Sequence, residues 1–144
     1  MAAATLRTKF LLFFSLVLIS CGEKITITEN NLIEGMSIQH FIRKNQFSGT
    51  IIVMYVDDMT KKSKRKYVSG KKNGIHEGWY PDGKKKYSFV FKDDASTGKH
   101  FQWHQNGKLF TQKQFKNGLE QGEQKAWDMN GDLMYKYIYN NGRK

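Results

Sequence analysis

The chain has 144 residues, with 24 lysines and arginines against 13 aspartates and glutamates, a formal net charge of +11. That length limits it to one domain once its first segment is set aside, and a single cysteine excludes an internal disulfide. Lysines are scattered along the whole chain, a diffuse positive field that would attract anionic surfaces or an acidic partner.

The first segment is basic at Arg7 and Lys9 and apolar over residues 10–19. About ten apolar residues cannot span a hydrocarbon core that needs roughly 20 in a helix, and the pattern fits the h-region of a secretory signal peptide. Leu18-Ile19-Ser20-Cys21 resembles the lipobox of bacterial lipoproteins. The resemblance implies cleavage before Cys21, a diacylglyceryl group on its thiol and an acylated amine, so that Cys21 anchors the mature protein. The alternative is a leader cut elsewhere, which leaves Cys21 as a stray thiol without a disulfide partner. Several acyl chains hold a protein on a membrane stably, where one alone is marginal. Gly22 follows the cysteine instead of Asp, so the familiar inner-membrane retention signal is missing. An exported protein on the outer membrane, facing the periplasm or the cell surface, is expected. Losing residues 1–20 removes two basic and no acidic residues and takes the net charge from +11 to +9.

Residues 21–48 read as a tether and an N-terminal cap. Lys24-Ile25-Thr26-Ile27-Thr28 alternates like a short strand, and Glu29-Asn30-Asn31 breaks it. Ile38, Phe41 and Ile42 share one face at helical spacing after Ser37, a candidate N-cap. A short helix or strand here would close the edge of a stacked architecture.

The remainder, 49–144, is periodic. Trp79, Trp103 and Trp127 recur every 24 residues, as do Gly74, Gly98 and Gly122, and Gly83, Gly107 and Gly131. A fixed interval of this size marks stacked supersecondary units: 74–97, 98–121 and 122–144. Each unit runs from its tryptophan into Asp82-Gly83, Asn106-Gly107 or Asn130-Gly131, pairs that favour type I′ hairpin turns. A second strand then leads to Phe91, Phe115 or Tyr139, and a second turn follows at Asp93-Asp94, Asn117-Gly118 or Asn141-Gly142. Odd positions of the second strands carry most of the aromatics, which predicts one buried face. Val90, Phe110, Met134 and Ile138 on the other side predict partial cover there too. A degenerate unit, 50–73, precedes these: Tyr55 takes the tryptophan place, Asp58 aligns with Asp82, Tyr67 with Phe91, and Ser69-Gly70 forms the second turn. The run 51–56 reads as a buried strand, and Pro81 sits harmlessly in a turn. The expectation is an all-β antiparallel meander of about eight strands built from stacked hairpins.

Gly74-Ile-His-Glu-Gly-Trp79-Tyr-Pro-Asp-Gly83-Lys84, with its counterparts at 98–108 and 122–132, resembles the bacterial variant of the MORN repeat. The nearest grouping is the YwqK family of antitoxin-type proteins. The resemblance covers 74–144 well and 50–73 weakly. It implies a twisted sheet of stacked hairpins that serves as a protein-binding platform, with an antitoxin or immunity-type role attached to the family name rather than to any reactive group. The chain departs from the pattern at Asp94, where its equivalents are Gly118 and Gly142, and at Gly78, where they are Gln102 and Ala126.

No constellation for catalysis emerges. His76 and His100 are equivalent positions whose third counterpart is Gln124, which predicts a surface strand position. His100 and His104 on a strand would lie about 13 Å apart, at roughly 3.3 Å per residue, too far to share a metal. Asp57-Asp58, Asp82 and Asp93-Asp94 fall in predicted turns, where Asp bonds local backbone. No metal, cofactor or catalytic residue is expected. Trp79, Trp103 and Trp127, with Phe91, Phe115 and Tyr139, form an aromatic ladder that is either a packed core stripe or an exposed groove for a sugar polymer or extended peptide. The expected function is therefore non-enzymatic: a lipid-anchored binding module for a protein partner. The alternative is a binder of anionic glycans or lipid headgroups through a basic sheet face. Nucleic acid is not an expected partner.

Overall fold

The computed structural model describes residues 23–28, 38–56 and 59–144. The leader 1–20, Cys21, the break at 29–31, the cap at Ser37 and the Asp57-Asp58 turn lie outside the described residues. The elements are β1 (Glu23–Thr28), α1 (Ile38–Lys44), β2 (Gly49–Met54), β3 (Lys61–Val68), β4 (Lys71–Lys72), β5 (Gly74–Trp79), β6 (Lys85–Lys92), β7 (Ala95–Ser96), β8 (Gly98–Trp103), β9 (Leu109–Lys116), β10 (Leu119–Glu120), β11 (Gly122–Trp127) and β12 (Leu133–Tyr139). All strands join one sheet in the order β1-β2-β3-β5-β6-β8-β9-β11-β12, with β4, β7 and β10 paired to β3, β6 and β9. The all-β meander of hairpins is therefore what the chain forms. The first three units also carry a two-residue third strand, β4, β7 or β10, and the last a lone bridge between Asn140 and Arg143, which two turns per unit do not anticipate. β1 pairs with β2 in parallel, and α1 falls in the crossover that a parallel pair needs. Among the described residues, no helix is long and apolar enough to cross a membrane.

The first turns do not take the type I′ geometry expected of them. At the first, only the glycine has positive φ: Gly83 81°, Gly107 88° and Gly131 90°. Gly83 N–H donates to Tyr80 O at 2.9 Å and Tyr80 N–H to Lys84 O at 2.8 Å, a type I turn closed by a left-handed glycine. A further register slip lies along each hairpin, between Gly78 and Trp79, Gln102 and Trp103, and Ala126 and Trp127, a bulge separate from the left-handed glycine. The Asp or Asn is not left-handed because its side chain accepts from the N–H two residues on, Lys84 to Asp82 at 3.1 Å and Lys108 to Asn106 at 3.0 Å. Type I′ geometry instead occupies the second turns, with both φ values positive at Ser69-Gly70, Asp93-Asp94, Asn117-Gly118 and Asn141-Gly142. Asp94, at φ 68°, accepts at its own carboxylate from Lys72 N–H at 2.8 Å.

The first unit is one residue out of phase with its expected alignment. Tyr55 N–H donates to Thr60 O and the Tyr55 hydroxyl to Trp79 O, which are the bonds Tyr80 makes to Lys84 O and Trp103 O. Tyr55 is thus the counterpart of Tyr80, and Met54 takes the tryptophan place. The turn holds one extra residue, which a count of 24 cannot see. Past that turn the phase is restored, and Tyr67 and Ser69-Gly70 stand where expected.

Ile42, Phe47, Ile51, Val53 and Tyr67 form a buried cluster, with Ile25, Ile38 and Phe41 packed against it. The apolar stripe of α1 thus covers the N-terminal end of one sheet face, here called the inner face. Past β5 the inner face is shielded mainly by its own stacked side chains. The outer face is less covered than its apolar residues suggest: Val90 is half-buried, but Phe110, Met134 and Ile138 are exposed, Ile138 by 66%.

Candidate binding surface and unit joints

Neighbouring units share a backbone ladder two residues wide, Ser63-Lys64 with Gly78-Glu77, Tyr87-Ser88 with Gln102-Phe101, and Thr111-Gln112 with Ala126-Lys125, and one further backbone bond at the second turns, Asp94 N–H to Lys72 O, Gly118 N–H to Ser96 O and Gly142 N–H to Glu120 O. So narrow a ladder needs help, and side chains supply it in the same phase at every joint. His76 Nε2 lies 2.7 Å from Lys66 O, His100 Nε2 2.8 Å from Val90 O, and Gln124 Nε2 donates to Gln114 O at 2.9 Å. A histidine Nε2–H and a glutamine amide reach the same carbonyl with equivalent donors. The equivalence of these positions was visible in the sequence, but not their place. His76, His100 and Gln124 are 4%, 7% and 1% exposed, so they are buried clamps rather than surface positions. Burial holds both imidazoles below their ordinary pKa, partly opposed by the carbonyls they bond. At neutral pH each is therefore uncharged, with its proton on Nε2.

The imidazoles also sit between aromatic rings. His76 lies 5.3 Å from Tyr67 and 4.9 Å from Phe91; His100 lies 5.5 Å from Phe91 and 4.6 Å from Phe115. This gives an unbroken row from Tyr67 to Phe115 across three units. Phe91, Phe115 and Tyr139 stand opposite Gly74, Gly98 and Gly122, whose positive φ values of 74°, 65° and 70° favour glycine. An aromatic ring shields the bare backbone opposite it.

A second clamp runs along the other rim. The hydroxyls of Tyr55 and Tyr80 donate to Trp79 O at 2.9 Å and Trp103 O at 2.7 Å, and His104 Nε2 lies 2.9 Å from Trp127 O. The tryptophans therefore hold the joints through their carbonyls. Their indoles recur in phase but are half-buried and make no ring contact with one another, since they sit on alternate strands about 9.5 Å apart. Trp103 packs on Phe101 at 5.8 Å, with the Lys85 ammonium 5.9 Å away. Trp79 lines a shallow open groove with Met59, Thr60, Lys61 and Gly83. The three indoles do not join into one core stripe.

The inner face varies from unit to unit where the joints do not. Gly78 faces Tyr87, Gln102 faces Thr111, and Ala126 faces Tyr135. A large side chain thus meets a small one each time, and the Thr111 hydroxyl donates to Gln102 Oε1 at 2.9 Å. Tyr87 stacks on Phe89 at 4.9 Å and Tyr135 on Tyr137 at 5.0 Å, two platforms separated by a polar middle unit. The Lys113 ammonium there is bound to Glu120 at 3.0 Å. On the outer face Lys64, Lys66, Lys92, Lys99 and Lys116 are exposed. At its far end, hydrogen bonds from Lys125 and Lys136 lower the Glu123 pKa to about 2.

Among the described residues, no group of three or more His, Cys, Asp or Glu is placed to hold a metal ion. His104 leaves the line of His100 for the rim clamp, so the two do not converge. Comparison with protein-family models, curated proteins and solved structures finds no match to this chain.

Proposed function

We propose that this chain is a non-enzymatic, lipid-anchored envelope protein whose MORN-like hairpin sheet binds a protein partner, as an antitoxin or immunity-type neutraliser would. The observation that carries the reading is the division of labour within each unit. The repeated residues are spent on joints, while the inner face beyond α1 presents two aromatic platforms flanking polar side chains. Half-buried aromatics next to polar groups are the composition of protein contact surfaces. Titratable groups of the kind that serve as bases are engaged structurally: His76, His100 and His104 bond backbone carbonyls, and Asp82 and Asp128 hold turns. The anchor is the lipobox cysteine, Cys21. Affinity capture from mildly solubilised envelopes tests the reading: it should recover one stoichiometric protein, and recovery of none counts against it. Palmitate labelling lost in Cys21→Ser tests the anchor separately.

The exposed lysines of the outer face favour a second reading, in which that face binds anionic glycans or lipid headgroups. Such binding would fall steeply with salt, and salt-insensitive binding would eliminate it.

A further inference from the structure

We infer that Arg65, with the hydroxyls of Tyr67 and Tyr87, forms a carboxylate-binding site on the inner face, and that it receives an acidic residue of a polypeptide segment. The peptide origin of the carboxylate rests on the protein-binding reading; the chemistry of the site does not.

Arg65 lies in β3 between buried Ser63 and buried Tyr67, opposite Ile51, which is 2% exposed. Among the described residues its guanidinium has no carboxylate partner. Tyr67 is its neighbour on the same face of β3, and the Tyr87 ring lies over Gly78 of the adjacent β5, on the side of Arg65; both phenols act on its charge. A half-buried cation held only by neutral groups is incompletely compensated. Its neighbours make the imbalance larger, because they too bring protons. Gln39 Nε2 lies 3.5 Å from the Tyr67 oxygen. Each phenol has an O–H of its own to donate, and the guanidinium has five N–H groups. The Nε2 of His76, across the ladder, is committed to Lys66 O. Donors therefore outnumber acceptors, and a planar two-oxygen anion matches the guanidinium fork. The charge suits a monoanion: the cation that takes the Arg65 position two units on, Lys113, is bound to Glu120, and the nearby Lys72 ammonium is placed over the Phe91 ring.

The site occurs once in the array. The counterparts of Arg65 one, two and three units on are Phe89, Lys113 and Tyr137, so the repeat itself does not require an arginine there. Its assembly depends on Gly78. A Cβ at that position would stand 2.0 Å from Tyr87 Cε1, so the bare glycine lets the Tyr87 ring lie across β5 toward Arg65. The Tyr87–Phe89 stack beside it offers an apolar platform for a residue flanking the acid.

The test uses the purified full-length chain in detergent, with the arginine Nε–Hε resonance followed by NMR. Two probes are compared: N-acetyl-Phe-Glu-Phe-amide and its Gln counterpart. The Glu peptide should shift the Arg65 resonance saturably in the millimolar range, and the Gln peptide should bind about tenfold more weakly. Arg65→Gln should abolish the shift, and Tyr87→Phe should weaken it; Tyr87→Phe alone decides the matter if the arginine variant does not fold. Absence of a saturable shift, or equal binding of the two peptides, overturns the site. Tighter binding of inorganic phosphate or of galacturonate overturns the peptide assignment. The probes are defined and no partner is needed, so failure here leaves the envelope-capture result untouched.

Discussion

Replacing His100 separates what its hydrogen bond contributes from what its ring contributes. In His100→Leu the ring contacts with Phe115, Phe89 and Phe91, at 4.6, 5.0 and 5.5 Å, are lost, together with the bond to Val90 O. That carbonyl is not orphaned, because it still accepts from Thr97 N–H at 3.0 Å. The loss is then one net hydrogen bond, about 0.5–1.5 kcal/mol, and the aromatic contacts, about 0.5–1.5 kcal/mol. Leucine returns part of this by burying apolar surface. A destabilisation of about 1–3 kcal/mol follows, or a fall in Tm of roughly 4–12 °C. His100→Gln keeps the donor, as Gln124 does at the next joint, and should cost the ring contacts alone, about 0.5–1.5 kcal/mol. Urea unfolding followed by tryptophan fluorescence measures both. Equal costs for Leu and Gln would refute the clamp, and so would a negligible cost for Leu.

The pH profile carries a second expectation. Burial lowers the His76 and His100 pKa values from 6.5, so the unfolded chain takes up protons first. Stability is complete above about pH 6.5 and declines as pH falls through that value toward the folded-state pKa. The double variant His76→Gln, His100→Gln should flatten this slope, and an unchanged slope would assign it to other groups. Gly78→Ala should cost about 1–3 kcal/mol by overpacking, nearer the low end because Ala126 already faces Tyr135, and should abolish peptide binding at Arg65. An unaltered Tm with binding retained contradicts the placement of Tyr87. Excising residues 98–121 joins Thr97 to Gly122 and brings Tyr80 to Trp127 O and Gln124 to Val90 O. The shortened chain should keep its β circular dichroism and unfold cooperatively with a smaller m-value. Removing residues 98–109 alone should destroy folding; a folded product would contradict the 24-residue unit.

The meander was legible because the signals that specify it are local. Glycines that need positive φ, Asp and Asn that cap turns, and strand alternation all act within a few residues. What eluded the sequence was longer in range. Turn type depended on whether Asp82 bonds Lys84 N–H or adopts positive φ, and an Asx-Gly pair is compatible with either. Tyr55 was misaligned because the extra residue lies in a turn, where length is inexpensive. His76 and His100 read as surface residues in the sequence because glutamine at their counterpart suggests tolerance of water. The shared property was instead a side-chain N–H aimed at a carbonyl ten residues back. The period held that clue, since a histidine and a glutamine that interchange in one phase have a donor in common. Arg65 left no trace in the period, because a feature that occurs once in a repeat array is invisible to repetition.

The tautomer of the two buried histidines tests the joints most directly. Long-range ¹⁵N–¹H correlation on the folded protein at neutral pH should show His76 and His100 protonated at Nε2, slow to exchange, and without titration near pH 6.5. Protonation at Nδ1, or free titration at the ordinary value, would mean that these side chains do not clamp one hairpin to the next.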